Sequence, residues 1–260
     1  MTSPAPTPDM TLRWNEPLAV EATAAVQRGQ ADILRRLLAR HPGLARAWIV
    51  KDGEAAGARS LLHLFADWPG HRRNPRDIVT TLAEAGANLD ASPDGPNGPG
   101  ETPLHWAASN DDVELVDALL DAGADIEAPG SIIGGLGPIA DAAVFGGTRA
   151  GLRLVERGAR TNVYQAAALG ITDRVQAELA ARPGPDAERI TTAFWAACGG
   201  GHQDIAALLL AAGADINWTG WNNQNPLDAA LAADHTTLAT WLQANGGHPA
   251  AEPRSANDAP

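Results

Sequence analysis

Seven histidines, one cysteine and 31 acidic residues are the groups in this 260-residue chain that could carry chemistry. A zinc site would draw on His63, His71, His105, His202 or Cys198, since imidazole and thiolate are its usual ligands. The spacing argues against one, because no Cys-x-x-Cys or His-x-x-x-His run places two ligands side by side. General acid–base catalysis would pair Asp141 or Asp112 with His71 or His105, with tryptophan side chains as walls. Cys198 as a nucleophile needs partial exposure and an adjacent base. It sits instead in Ala196-Ala197-Cys198, where a thiol behaves as a small hydrophobe. No Gly-x-Ser-x-Gly elbow or Gly-x-x-x-x-Gly-Lys phosphate loop occurs, and Gly134-Gly135-Leu136-Gly137 and Gly199-Gly200-Gly201 read as a loop and a helix–helix turn. Neither a metal nor a cofactor is expected.

Recognition is the other chemistry available. Eight tryptophans are many beside 3 Phe and 1 Tyr, and tryptophan is enriched at binding hot spots. Trp68 begins the segment Trp68-Pro69-Gly70-His71-Arg72-Arg73-Asn74. Trp218 and Trp221 lie in Asn217-Trp218-Thr219-Gly220-Trp221-Asn222-Asn223. Each could pack internally, but the set is expected to supply two or more walls of a recognition groove. Asp111, Asp112 and Asp141 would make that groove acidic, suiting a basic or hydrogen-bonding partner. The alternative for Asp111-Asp112-x-Glu114 is a solvated turn favoured by the helix macrodipole.

Lys+Arg 19 against Asp+Glu 31 gives a formal charge of -12. That field repels polyanions and anionic membrane surfaces, so neither nucleic acid nor membrane is expected as a partner. Arg72, Arg73 and Arg76 are the one tight basic group, read as a solvated loop. A single cysteine permits no intramolecular disulfide and suits a reducing cytoplasm. The N-terminal residues show no basic and apolar leader pattern, and no apolar run approaches the roughly 18 residues of a membrane span.

The elements that must position these groups announce themselves by repetition. Gly123-Ala124-Asp125-Ile126 recurs as Gly213-Ala214-Asp215-Ile216, with Gly86-Ala87-Asn88-Leu89 a variant and Gly158-Ala159 an echo. Before the two full copies, 113–120 and 205–210 carry apolar residues at i, i+3 and i+4, one helix face. The glycine then stands where a helix end needs a left-handed residue. Thr102-Pro103-Leu104-His105-Trp106-Ala107-Ala108 marks a helix start, with Thr as cap and Pro in the first turn.

These motifs resemble the ankyrin repeat family, whose unit of about 33 residues carries Thr-Pro-Leu-His-x-Ala. The resemblance covers residues 16–247 and implies an all-α solenoid of helix–turn–helix units joined by short β-hairpin-like loops. Units start near Val20, Ser60, Thr102, Gly137, Thr161, Thr192 and Asn225. The motif histidine stands only at His63 and His105, where the resemblance implies hydrogen bonds to neighbouring backbone. Ala140, Tyr164, Trp195 and Asp228 replace it elsewhere, and Asp141 and Gln165 hold the place of Trp106. Asp111 takes the place of the glycine between helices. Residues 1–12 and 248–260 are expected to be disordered tails. His235, with Asp234, Thr236, Thr237 and Gln243, is expected to form the polar outer face of the last unit.

The resemblance implies a non-enzymatic, monomeric scaffold that binds a protein or peptide on its concave face and hairpin fingers. Trp68, His71, Trp106, Asp112, Asp141, Trp218 and Trp221 are the candidate contacts. The competing expectation is a pocket on that face, lined by Trp, His and Asp, that binds or transforms a small molecule.

Overall fold

In the computed structural model, residues 10–51, 57–95, 98–130, 136–181, 183–220 and 223–250 are described. They form two compact units, 1–160 and 161–260. The first opens with β1 (Thr11–Arg13), α1 (Pro17–Gln27), α2 (Ala31–Arg40), a 3-10 turn (Leu44–Arg46), β2 (Trp48–Val50) and β3 (Arg59–Ser60). It continues with α3 (Leu61–Ala66), α4 (Pro75–Glu84), the paired segments β4 (Asp94–Gly95) and β5 (Gly98–Pro99), α5 (Pro103–Ser109), α6 (Val113–Ala122), α7 (Pro138–Phe145) and α8 (Thr148–Glu156). The second unit holds α9 (Val163–Ala168), α10 (Thr172–Ala180), α11 (Ala187–Gly199), α12 (Gln203–Ala211), α13 (Pro226–Ala232) and α14 (Thr236–Ala244).

Each unit is a stack of helix pairs in two layers. In the first, α1, α3, α5 and α7 pack in series, as do α2, α4, α6 and α8. In the second, α9, α11 and α13 form one layer, and α10 packs on α12 in the other. Alanines keep the layers close: Ala107, Ala108, Ala166, Ala167 and Ala197 are fully buried. Leu104, Leu115, Leu119 and Leu154 fill the first core, Phe194, Ile205 and Leu209 the second.

Helix starts are set by reciprocal caps. Ser60 with His63 and Thr102 with His105 form capping boxes, in which the cap side chain accepts from the third backbone N–H and the third side chain accepts from the cap's own. Asn225 forms the same box with Asp228, so the acid standing in for the motif histidine keeps the cap. In the fifth pair the box joins Asn162 to Gln165. Gln165, and not Tyr164, therefore stands in for the histidine, and the cap of α9, Asn162, falls one residue beyond Thr161. α11 runs through Thr192 to its own cap at Asp186, and α1 through Val20 to Glu16. The left-handed turn between helices falls on Gly29, Gly146, Gly170 and Gly201, and on Asp111 and Asp234, at φ 54 and 60.

Both chain ends are held further out than composition suggests. β1 pairs parallel to β2, with Leu12 against Ile49, and β2 pairs antiparallel to β3. Residues 11 and 12 are thus part of a sheet. At the other end, Asn225 Nδ2 donates to the His248 carbonyl at 2.6 Å, and His248 N–H donates to Asn217 Oδ1 at 3.1 Å. The outer parts of both expected tails, 1–9 and 251–260, lie outside the described residues, as do Gly134 and Gly135.

His235 has a different role from the one composition suggested. Its Nε2 lies 3.1 Å from the Gly199 carbonyl oxygen, as His202 Nε2 lies 3.1 Å from that of Ala168. Both residues hold the N-cap positions of second helices, and their rings reach back to the end of the preceding pair's first helix. Asn74 does the same job in the first unit, donating to the Gly29 carbonyl at 3.0 Å.

Candidate functional site

The two motif histidines are structural. His63 and His105 are buried, with Nδ1 facing the backbone N–H of Ser60 and Thr102 at 3.3 and 3.1 Å. Their Nε2 atoms face the carbonyl oxygens of Glu101 and Leu136 at 3.0 and 3.3 Å. An N–H only donates and a carbonyl only accepts, so each ring is neutral with its proton on Nε2. Burial pushes both rings down to about 4. Among the described residues, no group of three His, Cys, Asp or Glu could hold a metal ion.

Of the expected acid–base pairs, Asp112 and His71 come together: Nδ1 of the exposed His71 ring lies 4.0 Å from Asp112 Oδ1. Asp112 is 3% exposed, and its carboxylate is engaged by backbone: Oδ1 accepts from Leu115 N–H at 3.1 Å, Oδ2 from His71 N–H at 2.5 Å. Asp141 is 1% exposed within α7. His71 places Nε2 3.0 Å from the Asn110 carbonyl oxygen, pinning the inserted loop to the third pair. Arg72 braces the same loop by donating to the carbonyls of Phe65 and Asp67, and Arg76 pairs with Asp121 at 3.0 Å. Of the basic run, Arg72 is half-buried, while Arg73 and Arg76 stay exposed to solvent as expected. Burial raises the Cys198 thiol to about 12.

Trp106 and Trp68 meet in one open cleft of the first unit, with a volume of about 620 Å³. β3, the loop after α3 and the ends of α5 and α7 line it. Trp106 is fixed on three sides. Its indole N–H donates to Glu101 Oε2 at 2.9 Å, its ring meets His63 edge-on at 5.0 Å, and the Arg59 guanidinium carbon stands 5.1 Å from the ring centroid. Arg59 also donates to Asp67 Oδ2 at 2.9 Å. Trp68 is 79% exposed, and Phe145 across α7 is 53% exposed. Asp111 reaches the cleft, whereas Asp112 and Asp141 do not line it.

Trp218 belongs to the second unit, half-buried, with its ring against Gly220. Trp195 beside it donates its indole N–H to the Gln224 carbonyl at 3.1 Å. Trp221 lies outside the described residues. Sequence reasoning missed Arg59, Asp67, Glu101 and Phe145. Phe145 carried one signal, a large aromatic immediately before the Gly146-Gly147 turn, where Asn110 and Ala233 occupy the corresponding places of their pairs.

Stacked, capped helix pairs with left-handed turns define a repeat protein. The chain belongs to the ankyrin repeat family: a model of three ankyrin repeats matches residues 22–129, and a single ankyrin repeat matches 191–221. Its fold is similar to the crystal structure of the human ASB11 ankyrin repeat domain, at TM-score 0.52 and 21% identity over 90% of this chain and 100% of that one. No curated protein matches the chain in sequence. Ankyrin repeats are in general protein–protein interaction scaffolds. Among the described residues, no helix is long and apolar enough to cross a membrane.

Proposed function

We propose that this protein is a non-enzymatic scaffold that binds another protein or a peptide in the cleft between β3 and α7. One observation carries the reading: Trp68 and Phe145, two of the largest exposed apolar side chains, flank a single concavity whose floor is the tethered Trp106. An exposed aromatic pair on a rigid floor has the make-up of a hot spot, a desolvatable centre within a polar rim. The segment 218–224, with Trp218 and Trp221, is a second contact region in the same reading. The protein acts as a monomer in a reducing cytoplasm, which the single buried thiol suits.

Affinity capture from the native cell tests the reading. A partner held by the wild type is expected to be lost at least about tenfold with Trp68→Ala plus Phe145→Ala. Leu152→Ala, on exposed surface of α8, is expected to retain it. A partner that binds the double variant as well as the wild type counts against this site. A sedimenting species heavier than 26.9 kDa counts against the monomer.

A further inference from the structure

We infer that the cleft recognises an arginine side chain presented by an extended peptide, a conclusion that rests on the binding reading above and specifies its partner chemistry. The first support is charge. Asp67, Glu101 and Asp111 line the cleft against the one guanidinium of Arg59. Asp67 is occupied, receiving Arg59 on Oδ2 and the Trp68 N–H on Oδ1 at 3.0 Å. Glu101 and Asp111 are each half engaged: Oε2 takes the Trp106 indole, and Asp111 Oδ1 takes the Ala150 N–H at 2.7 Å. Among the described residues, no donor sits on Glu101 Oε1 or Asp111 Oδ2. Two carboxylate oxygens therefore stand ready to accept hydrogen bonds at the wall of an aromatic cleft, in a chain of net charge -12.

The second support is independent of net charge. The protein already seats one guanidinium there, Arg59, over the face of Trp106 and on a carboxylate. This is the geometry in which an aromatic quadrupole and an acid jointly hold a cation. The indole of Trp68 and the ring of Phe145 remain exposed for a second one. Guanidinium fits better than ammonium, because it is planar, weakly hydrated and able to stack while donating through its edge. Lysine would forfeit the stack and the fork.

The test is selection of a random 12-residue displayed peptide library on the full-length protein, followed by titration of the selected peptides. Enriched peptides are expected to share an arginine. Replacing it with citrulline, which keeps shape and removes charge, is expected to weaken binding about tenfold. Trp68→Ala is expected to do the same. Glu101→Gln with Asp111→Asn is expected to cost about fivefold while preserving both existing acceptors. Arg59→Ala removes the resident cation and is expected to tighten binding about threefold.

Peptides that need Trp68 but carry no arginine, or bind equally with citrulline, overturn the inference and leave the binding site standing. Selected peptides indifferent to both Trp68→Ala and Phe145→Ala overturn the two together. Each variant's melting temperature is compared with the wild type, so a folding defect cannot pass for lost recognition.

Discussion

His63 Nε2 lies 3.0 Å from the Glu101 carbonyl oxygen, so the cap of one helix pair is bonded to the residue preceding the cap of the next. His105 repeats the arrangement with Leu136. Both rings are neutral because Nδ1 accepts from backbone, and burial holds them down to about 4. For His63, the nearby Arg59 and His105 add to that effect.

This makes acid the natural denaturant. The unfolded chain takes up protons near pH 6.5 and the folded chain only near 4, so stability is full above 6.5 and falls as pH drops through that window. The loss at pH 5 is expected to be on the order of 2 kcal/mol per ring relative to pH 8. Urea titrations at the two pH values measure it. His63→Gln with His105→Gln is expected to flatten the dependence, since Gln165 shows that glutamine can close the same box.

Asp117 ties α6 to α8. Arg153 Nε reaches its two oxygens at 2.8 and 3.1 Å, and Arg157 adds a bond at 2.8 Å. Hydrogen bonding from Arg153 is the main cause that holds the Asp117 carboxyl below the usual range. Asp117→Ala is expected to cost about 1 kcal/mol, less in 1 M salt, while Arg76→Ala at the exposed end of the network costs at most about 0.5 kcal/mol. Thermal melts at two salt concentrations separate them.

Two adjacent glycines have different reasons to be glycine. Gly146 has φ 76, and a Cβ there meets nothing within 4 Å. Gly147 has ordinary φ, but a Cβ would stand 2.3 Å from the Ala108 carbonyl oxygen. Gly146→Ala is expected to cost about 1 kcal/mol of backbone strain. Gly147→Ala forces the third and fourth pairs apart and is expected to cost about 2–3 kcal/mol. Equal losses in denaturant midpoint would contradict this account.

Cys198 is expected to be inert while the protein is folded. Its thiol is buried and raised to about 12, so almost no thiolate exists at pH 8. Reaction with an aromatic disulfide reagent should proceed only as fast as the chain opens, and completely in denaturant. Prompt labelling of native protein would place the thiol at the surface.

The sequence by itself determined the repeat, because its signals act over three or four residues. Thr102 caps a helix through His105, Asp111 tolerates a left-handed turn, and Gly123 ends α6 at φ 102, whatever lies beyond. It also marked Trp68 and Trp106 as residues worth following. Only tertiary structure decided which box closes in the fifth pair, since Asn162 and Thr161 are both competent caps. It alone decided that Asp112 is consumed by the His71 N–H of an inserted loop 41 residues earlier. The cleft is assembled from residues between 59 and 147, on elements of three consecutive helix pairs. Helix periodicity gives the direction of a side chain from its own axis, but exposure depends on what the neighbouring pair brings alongside. For that reason Trp68, Phe145 and Arg59 acquire their meaning only when the stack is formed.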